Sequence, residues 1–289
     1  MNITLDQVRC FCALVDCGSY QAAAKEMNKS HSAIVYSIGC FERQTGLTLL
    51  NRLEYRTTLT AAGERVYHQC RTLLSEATQL EQLCSDLSEG WEPSVRLVYD
   101  GVLSPEPFLQ IFKYFKDEQI PTLLDIYSDY LYGVEKSFTE LEAQFMISIL
   151  PAKQSGLQSL ELNPISNILV AHRDHELFKQ KQPWSLHELK AFNFFTVRGA
   201  DKSLNLGTKE LEENSTFHLS EFSLKKVAIL QGAGFGWLPQ YLIQDELDLE
   251  IIKPIQWEGS SFQELHPRLY YKKKNKIGRA SQIILGKLR

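Results

Sequence analysis

The sequence predicts an α/β protein that opens with an all-α winged helix-turn-helix. Three observations carry this prediction. Apolar residues recur at helical spacing through the N-terminal stretch, broken by Gly18 and by Met27-Asn28-Lys29. From Val66 to Leu87 an apolar seam then steps by four and three without a break. Beyond Glu89-Gly90-Trp91-Glu92-Pro93, short apolar strands alternate with helices to the C-terminus.

In the first helix, Leu5, Val8, Phe11, Cys12 and Val15 form one stripe. Gly18 ends it, and Ser19 is placed to cap the next helix. Ala22-Ala23-Ala24 keeps that second helix thin enough to approach a neighbour closely. Asn28 suits the left-handed backbone of the turn, and Ser30 caps a third helix that Gly46 terminates. Its inward residues are expected to be Ala33, Ile34, Ile38 and Phe41, leaving His31, Ser32, Val35 and Tyr36 facing outward. Leu49 to Thr60 follows as a short hairpin or wing. Such a pair of helices presents the tip of the second to a DNA groove.

The seam is Val66, Cys70, Leu73, Ala77, Leu80, Cys84 and Leu87, three heptads of the pattern that pairs helices side by side. It predicts a linker helix through which two copies dimerise, and a dimer calls for two related DNA half-sites. The alternative is packing of this helix on the chain's own C-terminal half.

Strands are expected at Val95–Tyr99, Leu123–Tyr127, Phe145–Leu150, Ile168–Ala171, Phe194–Val197, Gly234–Leu238 and Leu269–Tyr271. Helices are expected near Pro105–Lys116, Val134–Leu141 and Lys225–Gln231, with a last one from Arg279. Alternation of this kind predicts mostly parallel sheets.

Composition bounds the function. The chain has 289 residues, 44% hydrophobic and 23% charged, and a formal net charge of −4. Residues 1–62 carry six cations against five acids, so attraction to DNA must come from placement and from doubling. No apolar run reaches membrane-spanning length and the N-terminus lacks a secretory pattern, which predicts a cytoplasmic protein without membrane partners. No phosphate-cradling glycine loop or nucleophile motif occurs, so no catalytic residue and no cofactor are expected. His172-Arg173-Asp174-His175 lacks further ligands nearby and reads as a loop in which Asp174 caps a helix, so no metal is expected. Lys272-Lys273-Lys274-Asn275-Lys276 reads as a solvated strand end. All six cysteines fall within the first 84 residues without a close pair, and read as small buried hydrophobes. Cys70 and Cys84 fall on the seam, which opens a redox-sensing alternative.

Gly18-Ser19, Ala22-Ala23, Ser30, Ala33, Ile38, Glu42, Gly46, Leu50, Arg52, Leu59-Thr60 and Ala62-Gly63 stand at spacings that resemble the LysR-type transcriptional regulators. Trp91 to Pro105 and Gly232 to Pro239 are similar to that family's effector-binding half. The resemblance implies a winged helix-turn-helix at 1–62, a dimerisation helix at 63–89 and an effector-binding domain at 90–289. It further implies two subdomains like those of periplasmic binding proteins, one at about 93–162 and 267–289, the other at about 163–266. Its implied partners are double-stranded promoter DNA, a small-molecule effector and further copies of the chain, as a dimer and then a tetramer.

The DNA-contacting residues expected are Ser30, His31, Ser32, Val35 and Tyr36 on the helix, with Arg52, Tyr55 and Arg56 in the wing. The family usually carries Arg or Gln where Tyr36 stands. Arg pairs bidentately with guanine, whereas Tyr donates one hydrogen bond and packs on a thymine methyl, so a different base preference is expected. Packing of Tyr36 on the wing is the alternative. Effector contacts are expected in four loops beyond strand ends. They are Asp100, Gly101, Val102, Leu103 and Ser104; Asp129, Tyr130 and Tyr132; Thr196, Val197 and Arg198; and Glu221 with Phe222. Their aromatic and charged mixture suggests a small polar aromatic or heteroaromatic effector. The family's Gly-x-x-Asp before the third strand is replaced here by Glu142-Ala143-Gln144-Phe145. The function expected is an effector-controlled DNA-binding regulator. The alternatives are a solute-binding or sensory protein acting through protein partners, or an α/β enzyme with a helical appendage.

Overall fold

The computed structural model describes residues 2–51, 58–179, 183–197, 216–272 and 277–288. The chain divides into two compact units, 1–89 and 90–289.

In the first unit, α1 (Leu5–Cys17) starts at a capping box in which Thr4 and Gln7 each bond the other's backbone N–H. Gly18, at φ 70°, ends it in the left-handed region. Ser19 accepts the Ala22 N–H to start α2 (Tyr20–Glu26), and Asn28 takes φ 52° in the turn. Ser30 accepts the Ala33 N–H to start α3 (His31–Thr45), which Gly46 closes at φ 69°. The wing base pairs β1 (Leu50–Asn51) with β2 (Thr58–Leu59) antiparallel, Leu50 opposite Leu59. Glu42 Oε1 accepts both the Leu49 and Leu50 N–H groups and so ties α3 to the wing. Gly63 is required there, because a Cβ would sit 2.1 Å from the Leu49 carbonyl oxygen. Helix α4 (Ala61–Ser88) then begins at a Thr60 cap.

The buried face of α1 differs from the predicted stripe. Cys10 and Leu14 are buried while Leu5 is exposed, because α1 packs against α2, α3 and α4 at once and so buries more than one narrow face. Ala33 is exposed, since the first turn of α3 projects beyond the core that Ile34, Ile38 and Phe41 fill. The seam on α4 is split. Val66 and Cys70 pack into the first unit's own core, whereas Leu73, Leu80, Cys84 and Leu87 are exposed. Cys70 therefore leaves the predicted seam and lies against Cys12, whose S–H bond to it lowers the Cys70 pKa. Tyr67 and Arg71 both bond Asp16, fixing the start of α4 on α1.

The second unit contains two sheets. The first is built from β3 (Ser94–Asp100), followed by α5 (Glu106–Asp117), β4 (Leu123–Asp129), α6 (Tyr132–Glu140), β5 (Phe145–Ser148) and β6 (Leu157–Glu161). The chain then crosses into β7 (Ile165–His172), α7 (Leu186–Leu189), β8 (Phe194–Val197), β9 (Thr216–Leu219), α8 (Phe222–Leu230), β10 (Phe235–Pro239), α9 (Gln240–Asp248), β11 (Ile252–Pro254) and β12 (Phe262–Leu265). It returns through β13 (Arg268–Lys272) and ends with α10 (Arg279–Lys287). Strand order is β4-β3-β5-β13-β6 in the first sheet and β11-β7-β10-β8-β9 in the second, where β12 also pairs with β7.

Both sheets are mixed, which corrects the mostly parallel expectation. Strands β3, β4 and β5 run parallel, as do β8, β9 and β10. However, β13 is antiparallel to β5 and β6, and β7 is antiparallel to β10, β11 and β12. The chain leaves the first sheet through β6 into β7 and returns beside that path through β12 into β13, so outgoing and returning strands run in opposite directions. At the His172 loop, His175 rather than Asp174 caps the next turn, its Nδ1 accepting the Leu177 N–H. Nδ1 is bonded to Cγ as an aspartate Oδ1 is, so the His175 ring accepts the amide two positions on as an Asp cap would. The residues replacing Gly-x-x-Asp keep a tight turn with Glu142 at φ 50°, and Gln144 Oε1 accepts the Arg96 N–H. Lys272 ends β13, and the rest of the lysine run lies outside the described residues. Among the described residues no helix is long and apolar enough to cross a membrane. No group of His, Cys, Asp or Glu there could hold a metal.

Candidate nucleic-acid interface and ligand cleft

The tip of α3 is an open, capped helix start. Ser30 Oγ holds the Ala33 N–H at 3.2 Å and lies 3.1 Å from Ser32 Oγ. The His31 ring rests against Tyr20 at 5.8 Å between centroids, which orients it without covering it. Ser30, His31, Ser32, Val35 and Tyr36 are all exposed, Tyr36 at 71%. The tip thus offers hydroxyl, imidazole and phenol groups for base edges beside a short apolar side chain. Lys29 is turned inward to Asp6 and is not available to a phosphate. Arg52, Tyr55 and Arg56 lie outside the described residues.

In the second unit a cavity of about 30 Å³ opens between the two sheets. Asp100, Val102, Tyr130 and Leu131 line one side; Asn167, Thr196, Val197, Phe222, Lys225 and Trp237 line the other. Each wall is built locally. Asp100 ends β3 and accepts the Val102 and Leu131 N–H groups, each at 3.1 Å. Leu131 adopts φ 54°, ψ −125°, a costly backbone for a branched side chain, and that twist aims its N–H at Asp100. On α8, Phe222, Lys225 and Ile229 share the inward face by helical spacing. Gly236 leaves room for Lys225: a Cβ there would lie 2.7 Å from Lys225 Cε.

The cavity holds an acid and a base that do not pair. Burial pushes the Asp100 carboxyl up to about 7 against the pull of its two backbone donors. Burial pushes the Lys225 ammonium down to about 7, and among the described residues no carboxylate steadies it. The Phe222 and Phe194 rings lie 5.6 and 5.9 Å from Lys225 Nζ, the outer reach of a cation–π contact. Tyr130 is also held above its ordinary value by burial, with Glu221 and Asp100 adding to it.

Of the residues expected to contact an effector, Asp100, Val102, Tyr130, Thr196, Val197 and Phe222 line this cavity. Gly101, Leu103, Ser104, Asp129, Tyr132 and Glu221 do not. Leu103 and Ser104 line a separate groove beside Pro164 and Pro267. Asp129 turns to the Tyr130 N–H and Ser137 hydroxyl, Tyr132 lies beneath the Lys153 ammonium, and Glu221 is exposed at the start of α8. Arg198 lies outside the described residues. Leu131, Asn167, Lys225 and Trp237 were not legible as cavity residues, although Lys225 carries a signal: it shares a helical face with Phe222 and Ile229.

A winged helix-turn-helix with an exposed recognition tip, followed by a two-sheet unit with an interior cleft, defines a DNA-binding regulator with a ligand-binding domain. Residues 5–64 match the model for bacterial regulatory helix-turn-helix proteins of the lysR family, and residues 88–286 match the LysR substrate binding domain. The chain belongs to the LysR family of transcriptional regulators. It is 24% identical over 264 residues to the probable HTH-type transcriptional regulator YhaJ of Escherichia coli K12, covering 90% of this chain and 88% of that one. It is 25% identical to the HTH-type transcriptional regulator AceR of Acinetobacter baumannii, covering 100% and 97%. Among solved structures, a C206 mutant of Corynebacterium glutamicum OxyR has the same fold, with TM-score 0.65 and 14% identity over 100% of this chain and 92% of that one. Vibrio fischeri DarR, solved in complex with DNA, has TM-score 0.51 and 20% identity over 100% and 99%.

Proposed function

We propose that this regulator reads promoter DNA through the tip of α3 and answers a small effector held in the cleft of its second unit. Ser30, His31, Ser32, Val35 and Tyr36 contact the major groove, while Arg52, Tyr55 and Arg56 of the wing meet phosphates or the adjacent minor groove. The exposed stripe of α4 pairs two copies, so the operator carries two related half-sites. Effector and DNA bias one conformational equilibrium, each altering the affinity of the other. This supports a regulator acting in the cell interior, with no catalytic step.

The observation that carries the DNA reading is the exposed, serine-capped start of α3, where the core-facing residues stop at Ile34. The test is a mobility-shift series on DNA upstream of the chain's own gene. Wild type is expected to bind specifically and salt-sensitively. Tyr36→Ala is expected to lose about 1–3 kcal/mol of discrimination at one base position in each half-site. An unchanged site preference, measured by reselection from random DNA, removes Tyr36 from readout.

A further inference from the structure

Among the described residues, two polar atoms in the cavity wall lack a hydrogen-bond partner, and a third buried polar group there, the Lys225 ammonium, has no ion pair. Asn167 is 4% exposed and its Oδ1 lacks a partner; Trp237 is 7% exposed and its Nε1–H lacks an acceptor. Lys225 is 2% exposed, and burial is the sole influence on its ammonium. Buried groups left this way are destabilising. Natural cores seldom keep such groups together around one cavity without an occupant that satisfies them.

We propose that the cleft takes a small organic carboxylate, its anionic head bound between Lys225 Nζ and Trp237 Nε1 and flanked by Asn167. This rests on the reading of the cleft as the effector site and names the class of effector. A carboxylate has two oxygens, one for each of two donors lining the same cavity, and its pairing with an ammonium in a dry site is stronger than a neutral hydrogen bond. The Asn167 amide can rotate to meet either an oxygen or a hydroxyl beside the head. Tyr130 and Phe222, in ring contact at 6.0 Å between centroids, offer one apolar surface for a short carbon body. A phosphate suits the site less well. Lys225 is the only cation lining the cavity among the described residues, and Asp100 lies on the facing side, so a second negative charge goes uncompensated.

The test uses the full chain, with thermal shift and tryptophan fluorescence as readouts. The probes are acetate, pyruvate, pyruvamide and inorganic phosphate, each at millimolar concentration with chloride held constant. Pyruvate or acetate is expected to raise the melting temperature and change the emission, and pyruvamide is not. Trp237→Phe, which keeps a ring and removes the N–H, is expected to weaken binding about tenfold. Lys225→Met is expected to abolish the shift, whereas Lys113→Met, exposed on α5, retains it. Equal shifts with pyruvamide, a shift with phosphate alone, no shift with either carboxylate, or a shift that survives Lys225→Met each overturn the proposal. If the wild type binds its upstream DNA yet fails these arms, the carboxylate assignment alone falls. If it binds no DNA, the regulator reading falls as well.

Discussion

Between pH 7 and its ordinary value near 10.5, the Lys225 ammonium titrates differently in the folded and unfolded chain. The unfolded chain keeps that proton up to about 10.5, whereas the folded one gives it up near 7. Across this window the unfolded state binds more protons, so stability rises with pH, and the cost of burying the cation is complete below 7. Lys225→Met is expected to raise unfolding free energy by on the order of 3 kcal/mol at pH 7, with the gain fading as pH approaches 10. Denaturant melts of both chains at several pH values check this, and a gain independent of pH assigns the effect to packing instead. Asp100 has the opposite sign: its folded value of about 7 lies above the ordinary 3.8, so its burial cost grows as pH rises through that range. A fold that retains both groups in one cavity gives up stability for something other than packing.

At the scale of elements, helix ends were the most legible part of the sequence. Ser19 and Ser30, read as caps from the sequence, each bond a backbone N–H three positions on, and that geometry is local; Thr4 and Thr60 do the same and were not singled out. Strand direction was not legible, because it depends on how the chain returns from one sheet to the other. The heptads on α4 were legible as a pattern but not in their division of labour. Val66 and Cys70 obey the same spacing as Leu80 and Leu87, yet only the latter pair stays exposed, at 61% and 48%. Lys225 was missed because a charge within an apolar helix reads as surface until the neighbouring strand is known. The exposed half of α4 makes a prediction of its own. Leu80→Glu is expected to convert a dimer into monomers in size-exclusion chromatography with light scattering. Each buried leucine contributes about 1.5–3 kcal/mol, and two-fold symmetry counts it twice. An unchanged mass places the dimer contact elsewhere.

For the whole molecule, the proposed function couples two binding events through one chain. If the carboxylate probe strengthens operator binding tenfold, operator DNA must strengthen probe binding tenfold. Fluorescence titration of the probe with and without operator DNA measures this directly, and equal affinities in the two titrations refute the coupling. The passages between the two sheets govern what form such coupling takes. One runs from Leu162 to Pro164 and the other covers His266 and Pro267, and the Leu162 N–H bonds the Pro267 carbonyl at 3.0 Å. Two proline-bearing strands laced together in this way behave as a single pivot. On such a pivot the two sheets are expected to open and close in one plane, like the covers of a book, rather than slide past each other.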